Sequence, residues 1–544
     1  MLRLTLLALL VVPRVCPGQQ PALAELRAAA AHDPYGFGSA ERLAFALRSA
    51  GELEASAEAF ERAAELGGNG WASLFNVACA KAVLGREEEA LDWLERSLDA
   101  RLPDDEVIRR EPDFESLREH PRFRELTGLY PPEGLARDEQ WRRDLAFFSR
   151  RMERMHWDLF AHVSRAEWQA EVAALSAAVP GTTDAGIRAR LRRLIARVGD
   201  GHTGMRAYPE GATAVARFPL ELYLFTDGLF VVGAPEAQAQ LVGGRVRALG
   251  PVPVERALEE MKAYVSVDNA MGYRDWASAA LTSPDILEAM GAVAREEPLD
   301  LELVLGDARR ERFFVERTEL APATFAQSQY GSLGRKRLPG WVYATDSAAG
   351  ELPLYLRDGH RPLWFTDLPE QDLVYCWFGA VDDPPGGTFE GFCRELFAHV
   401  AEVGAERLVL DMRLNDGGNT GVVLALIHGL IRCDAVNRPG HVFVITGRRT
   451  FSAAMNACSL LELHTSATFV GEPTGSRPNF VGESTSFVLP CTRYRVFCSS
   501  RYWQHVSSTD KRPWIAPALV VEPTFADYAG CRDPVLDAIL ARFP

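Results

Sequence analysis

Positive charge is in short supply in this 544-residue chain: 59 Lys and Arg stand against 74 Asp and Glu, a formal net charge of −15. Phosphate and anionic-membrane surfaces need clustered cations, and no such cluster is evident, which argues against nucleic-acid and lipid-surface partners. Cysteine is sparse as well. Apart from Cys16, eight cysteines are scattered at Cys79, Cys376, Cys393, Cys433, Cys458, Cys491, Cys498 and Cys531. This is no disulfide framework, although Cys491 and Cys498 form a close pair that export would allow to bridge. No Cys/His cluster has zinc spacing, so neither a metal nor another cofactor is expected. Long apolar runs are missing too. The run from Met1 to Val12 has a basic Arg3 and stops at Pro13, Cys16, Pro17 and Gly18. Too short to span a bilayer, it reads as a secretory signal over residues 1–20, directing the chain to the periplasm or the extracellular space. The apolar stretch after Thr420 is interrupted by His428 and reads as a buried helix, so no membrane span is expected.

What is present is an ordinary globular composition, 47% hydrophobic and 24% charged, long enough for several domains. Residues 24–130 read as helical and repetitive, because Gly51 to Ala63 aligns with Gly85 to Ser97 at a shift of about 34 residues, the period of tetratricopeptide repeats. A plain helical hairpin is the alternative. In either case the region suits packing or docking of a protein partner, not chemistry. Residues 135–215 follow as a helical subdomain, 216–320 as a β-rich insert, PDZ-like or purely structural, with a hairpin closed at Asp227-Gly228, and 321–354 as a polar linker. Residues 355–544, with strands expected near Leu354 to Leu356, Leu373 to Phe378, Arg407 to Arg413 and His441 to Thr446, alternate strand and helix as an α/β domain with a mostly parallel sheet does.

Three local patterns carry chemistry. Ser452 lies where the apolar run of His441 to Gly447 gives way to an Ala-rich helical pattern, a corner that presents a hydroxyl beside the free N–H groups of a helix start. The same position suits a plain helix N-cap. His202, in Gly199-Asp200-Gly201-His202-Thr203, projects from a tight turn at the end of a helix, with Asp200 shaping the turn. Gly417 and Gly418 follow the Arg407 to Arg413 strand and precede a helix. One of them, with the N–H of Ala453, can complete an oxyanion hole. A tight turn needing glycine explains the pair equally well, while a phosphate cradle is disfavoured because no Lys or Ser/Thr follows in the P-loop arrangement.

Taken in order, Gly199 to Thr203, Leu410 to Asn419, Thr450 to Ala454 and Val470 to Gly475 resemble the signature of the tail-specific or C-terminal processing serine proteases, in the branch of tricorn-type proteases and interphotoreceptor retinoid-binding protein. The resemblance covers about residues 140 to 544. It implies a crotonase- and caseinolytic-protease-like spiral α/β core, a PDZ-like insert, a Ser452 nucleophile and a peptide or protein substrate. Many members of the family use a downstream lysine as base. Here the only lysine after Lys336 is Lys511, and Arg477 stands roughly where that lysine would be. Arginine keeps its proton at ordinary pH. The base is therefore expected to be His202, as the tricorn-type resemblance implies, oriented by Asp510 or Glu483 and arriving from the helical subdomain so that the site forms between domains. An exported serine endopeptidase acting on exposed or unfolded segments is the expected function. The alternatives are a catalytically inactive peptide- or ligand-binding protein on the same fold and, more remotely, an acyl-CoA enzyme of crotonase type.

Overall fold

Alternating apolar residues with polar turns between them dictate sheets, and the largest stretch of such sequence lies in the last third of the chain. A computed structural model describes residues 22–542, apart from 68–69, 103–104, 131–133, 330–332 and 334. The expected signal, Cys16 and the Pro131-Pro132 break lie outside the described residues. The chain divides into two compact units. One is built from the described part of 1–159 with 172–180 and 484–500, and the other from 160–171, 181–483 and the described part of 501–544.

The first unit is helical. Helices Phe37–Ser49 and Leu53–Glu65 recur as Trp71–Val83 and Glu87–Asp99, so both helix starts shift by the spacing read from the sequence. Small residues, Ala44 and Ala57 in one hairpin and Ala78 and Ala90 in the next, are buried and let the helices approach closely. The longer helix Arg137–Met155 captures the 484–500 segment. Its buried Asp144 accepts the backbone N–H groups of Cys491 and Thr492, both at 2.8 Å, and the Thr492 hydroxyl. Phe147 meets Phe487 edge-on at 6.0 Å. Cys491 carries a free thiol, so the close cysteine pair is not bridged.

The second unit is organised on a six-stranded sheet whose spatial order follows the chain: Leu363–Leu368, Leu373–Phe378, Arg407–Asp411, Val442–Thr446, Thr468–Gly471 and Leu519–Val520. The first pair is antiparallel and every later pair parallel. The strands read as continuous apolar runs because both faces are covered. Val374, Cys376, Leu408, Leu410, Val442 and Val444 share one core with helices Phe389–Val403, Leu424–Ile431 and Ala453–His464. Tyr375, Val409, Phe443 and Ile445 turn the other way, onto Tyr528, Val535 and Ile539 and onto Tyr223 and Phe230 of a second sheet.

That second sheet is antiparallel and starts with the expected hairpin, Glu221–Phe225 against Gly228–Pro235. Two expectations are corrected here. Leu354–Leu356 is a turn of 3-10 helix after Pro353, not a strand. The stretch expected to be a linker contains helix Pro322–Gln329 and strand Trp341–Tyr343, which pairs with Gly228–Pro235.

Candidate active site

Functional loops of a parallel sheet gather at the carboxyl ends of its strands, and three adjacent strands supply them here. The strand Val442–Thr446 ends in a tight corner, 447–451, tied down on all sides. Thr450 Oγ1 accepts the Gly447 N–H at 3.0 Å and donates to Met412 O at 2.9 Å, Phe451 N–H donates to Asn415 O at 3.1 Å, and Gly475 N–H donates to Thr450 O at 3.1 Å. The next residue, Ser452, has φ 55° and ψ −123°. A side chain is strained in that conformation, which belongs to the glycine of a type II′ turn. Ser452 precedes helix Ala453–His464, yet its side chain makes no capping hydrogen bond. The N-cap alternative therefore gives way. The Oγ lies 2.9 Å from Nε2 of His202.

Ser452→Gly is expected to raise the melting temperature, since relief of a strained conformation is worth about 1–3 kcal/mol, while eliminating the hydroxyl. Calorimetry of the two chains checks it, and a variant that melts lower would contradict the strain assignment.

His202 is delivered by a turn whose shape is set by Asp200. Its Oδ1 accepts the N–H groups of His202 at 2.9 Å and Thr203 at 2.8 Å, and its Oδ2 accepts the Thr203 hydroxyl at 2.8 Å. The imidazole is stacked between Phe451, with centroids 4.3 Å apart, and Phe480, at 5.5 Å and nearly parallel. Glycine at 482 leaves room for it, since a Cβ there would come within 3.2 Å of the ring. Burial pulls the His202 pKa down to about 4, against the opposing pull of Asp200. The ring is thus neutral at pH 7 and able to accept a proton. His202 and Ser452 belong to the same compact unit.

The two glycines separate in role. Gly417 has φ +109° and is packed so that a Cβ would lie 2.6 Å from Ser452 Cβ and 2.9 Å from Ala453 N. Its N–H donates to Oδ1 of the buried Asn415 at 2.9 Å, while Asn415 Nδ2 donates to Phe378 O at 2.7 Å. Gly417 thus packs tightly against the Ser452 corner with its N–H engaged by Asn415. Gly418 is exposed and is held by a parallel bridge to Val381. Among the described residues no acceptor is paired with the N–H of Gly418 or of Ala453.

Beneath this turn, Asp411 accepts from the Tyr375 hydroxyl at 2.7 Å and from Arg413, which also makes two 2.9 Å bonds to Asp533. These conspicuous charged residues hold the turn in place. The two carboxylates expected to orient His202 have other pairings. Asp510 accepts from Arg512, which keeps its pKa below the ordinary value and also reaches Glu462. Glu483, at φ +58°, lies 4.0 Å from Arg501. Arg477, in place of the lysine base, donates from Nε to the Asp268 carbonyl at 2.9 Å.

Sequence reading missed Asp268. Its Oδ1 accepts the Gly201 N–H at 3.0 Å and its Oδ2 accepts the Ser476 hydroxyl. Burial raises its pKa to about 6. The only signal was an Asp-Asn pair before a helix in the β-rich insert. Among the described residues one group of metal-ligand type lies close together, Cys79, Glu111 and Asp113. Asp113 is already paired with Arg48 and the Cys79 thiol is pushed well up by burial, so the cluster is poorly suited to a cation.

No protein-family model matches the chain, and no curated protein matches it in sequence. Solved structures match it in fold. A CPAF mutant superposes with a TM-score of 0.50 at 12% identity, over 72% of this chain and 95% of that one. The photosystem II D1 C-terminal processing protease gives a TM-score of 0.36 at 13% identity, over 75% and 98% of the two chains. The tricorn protease gives 0.34 at 12%, over 75% of this chain and 37% of its own. On the first of these the chain shares the fold of CPAF, a mixed α/β architecture of several parts. No helix of the described residues is long and apolar enough to cross a membrane.

Proposed function

We propose that the protein is an exported serine endopeptidase that cleaves exposed or unfolded polypeptide segments, with Ser452 as nucleophile and His202 as general base. The observation that carries this reading is the 2.9 Å contact between His202 Nε2 and an uncapped serine hydroxyl held at φ 55°. Strain of this kind persists where the surroundings over-determine it, and such positions cluster at active sites.

In the reaction, Ser452 Oγ attacks the scissile carbonyl carbon as His202 Nε2 takes its proton. The carbonyl oxygen becomes an oxyanion between the N–H groups of Gly418 and Ala453, the second of these at a helix N-terminus. His202 passes its proton to the departing amine as the C–N bond breaks, leaving an acyl ester on Ser452. Water then attacks the ester carbonyl as His202 takes its proton, and His202 returns a proton to Ser452 Oγ as the ester C–O bond breaks, freeing the carboxyl product. Asp200 acts through the turn that aims the ring, and the aromatic faces of Phe451 and Phe480 fix the ring plane. The 34-residue helical repeat, with its tetratricopeptide-like pattern, is the part of the chain suited to docking a protein partner.

Fluorophosphonate treatment followed by peptide mass mapping tests the reading: the adduct is expected on Ser452. An unmodified Ser452 in a folded sample would instead favour a binding protein. Because the His202 pKa lies near 4, the loss of kcat/KM through protonation of the imidazole is expected near pH 4 and not near 6.5. A pH–rate profile breaking at 6.5 contradicts the buried, neutral imidazole.

A further inference from the structure

The segment 266–269, in the connection that precedes helix Ala270–Ala280, directs the side chains of Ser266, Asp268 and Asn269 to the loops around the site. Ser266 Oγ donates to Asp200 O at 2.6 Å. Asp268 Oδ1 accepts the Gly201 N–H and its Oδ2 the Ser476 hydroxyl. Asn269 Nδ2 donates to Thr474 O at 3.1 Å and Pro513 O at 2.7 Å, while its Oδ1 caps the helix. Arg477 returns a bond to the Asp268 carbonyl. The His202 turn is thereby fastened to the loop that leaves strand Thr468–Gly471. It has little freedom on its other side, since a Cβ at Gly201 would fall 2.6 Å from the Phe451 ring.

Asp268 is 5% exposed. The groups facing it are the Asp200 carboxylate, which disfavours a second negative charge, the Arg477 guanidinium, which favours it, and the neutral Gly201 N–H and Ser476 hydroxyl. A carboxylate kept in such surroundings against burial and a like charge departs from the rule that charges stay solvated. What it gains is a charge-assisted bond to a backbone N–H, about twice as strong as a neutral one. That N–H belongs to the residue immediately before His202.

We propose that Asp268 is a positioning residue of the catalytic site, tying the His202 turn to the 474–477 loop so that Nε2 stays within reach of Ser452 Oγ. The inference rests on the serine-peptidase reading above. It assigns the β-rich insert a part in the chemistry that no motif in its sequence announces. Asp268 acts only through His202, and this is what distinguishes it from a residue that merely supports the fold.

The test is the rate of fluorophosphonate labelling of Ser452 in the full-length chain. Asp268→Ala is expected to slow labelling about tenfold to a hundredfold, the cost of a misplacement of about 1 Å, with the reversible affinity for the probe unchanged. Asp268→Asn, which retains an acceptor for the Gly201 N–H, is expected to recover part of the rate. In a His202→Ala background Asp268→Ala is expected to have no further effect, because the two side chains act as one unit. Losses that multiply, or wild-type labelling by a folded Asp268→Ala chain, would overturn the inference while leaving the peptidase reading intact. Should Asp268→Ala fail to fold, Asp268→Asn and Ser476→Ala carry the same comparison in the His202→Ala background. If His202→Ala itself labels at the wild-type rate, it is the Ser–His reading underneath that fails.

Discussion

Ser452→Ala is expected to lower kcat for peptide hydrolysis about a millionfold, and His202→Ala nearly as much, with the double variant no worse than either. The magnitude follows from the geometry. A serine hydroxyl is a weak nucleophile until a base removes its proton, and the base must already be neutral to do so. His202 satisfies both demands, with Nε2 at 2.9 Å and a pKa drawn down by burial. Residual turnover over water would come from the N–H groups of Gly418 and Ala453 and from substrate binding. Steady-state hydrolysis of a quenched-fluorescent unfolded substrate, paired with thermal melts of each variant, makes the measurement. A His202→Ala chain that melts normally and keeps a tenth or more of its activity would point to another base.

Gly417→Ala is expected to cost at least about a hundredfold in kcat, through packing alone. The added Cβ would lie 2.6 Å from the Ser452 Cβ, 2.9 Å from Ala453 N and 3.1 Å from Phe451 O. Two of these three are backbone atoms that cannot swing aside, and φ +109° adds strain for any side chain. The turn and the nucleophile corner must therefore move apart, and a displacement of about 1 Å costs about a hundredfold. Gly350→Ala is the matched control, since a Cβ there meets nothing within 4 Å. Equal activity of the two variants would show that the corner tolerates repacking.

Much of the site was legible because its parts are punctuated locally. The buried strands Arg407–Asp411 and Val442–Thr446 announce themselves as apolar runs, and each is followed by residues that only a special turn would use. The remainder depends on contacts remote in sequence. Whether Ser452 caps its helix or faces a base is decided by His202, 250 residues away. The Gly417 N–H is engaged by the Asn415 side chain, a contact that the Gly-Gly pattern alone does not reveal. Asp268 has partners 67 and 208 residues distant and no motif of its own. Trp341–Tyr343 becomes a strand because Gly228–Pro235 offers an edge, a tertiary effect that overrides a polar, loop-like neighbourhood. Leu354–Leu356 misled for the opposite reason. A short apolar run is ambiguous without its partners, and this one packs Tyr355 and Leu356 inward from a single 3-10 turn.

The paired ionisations of His202 and Asp268 have a consequence for the whole chain in acid. Below pH 6.5 the unfolded chain protonates this histidine while the folded one declines to until about pH 4, so His202 withdraws stability as the pH falls through that window. Asp268 does the reverse. Folded, it takes a proton near pH 6, whereas unfolded it waits until 3.8, so it returns stability as the pH falls over nearly the same range. The two slopes oppose each other. Between pH 6 and 4 the contributions of these two groups to the folding equilibrium therefore partly offset each other, so the chain loses less stability there than His202 alone would take from it.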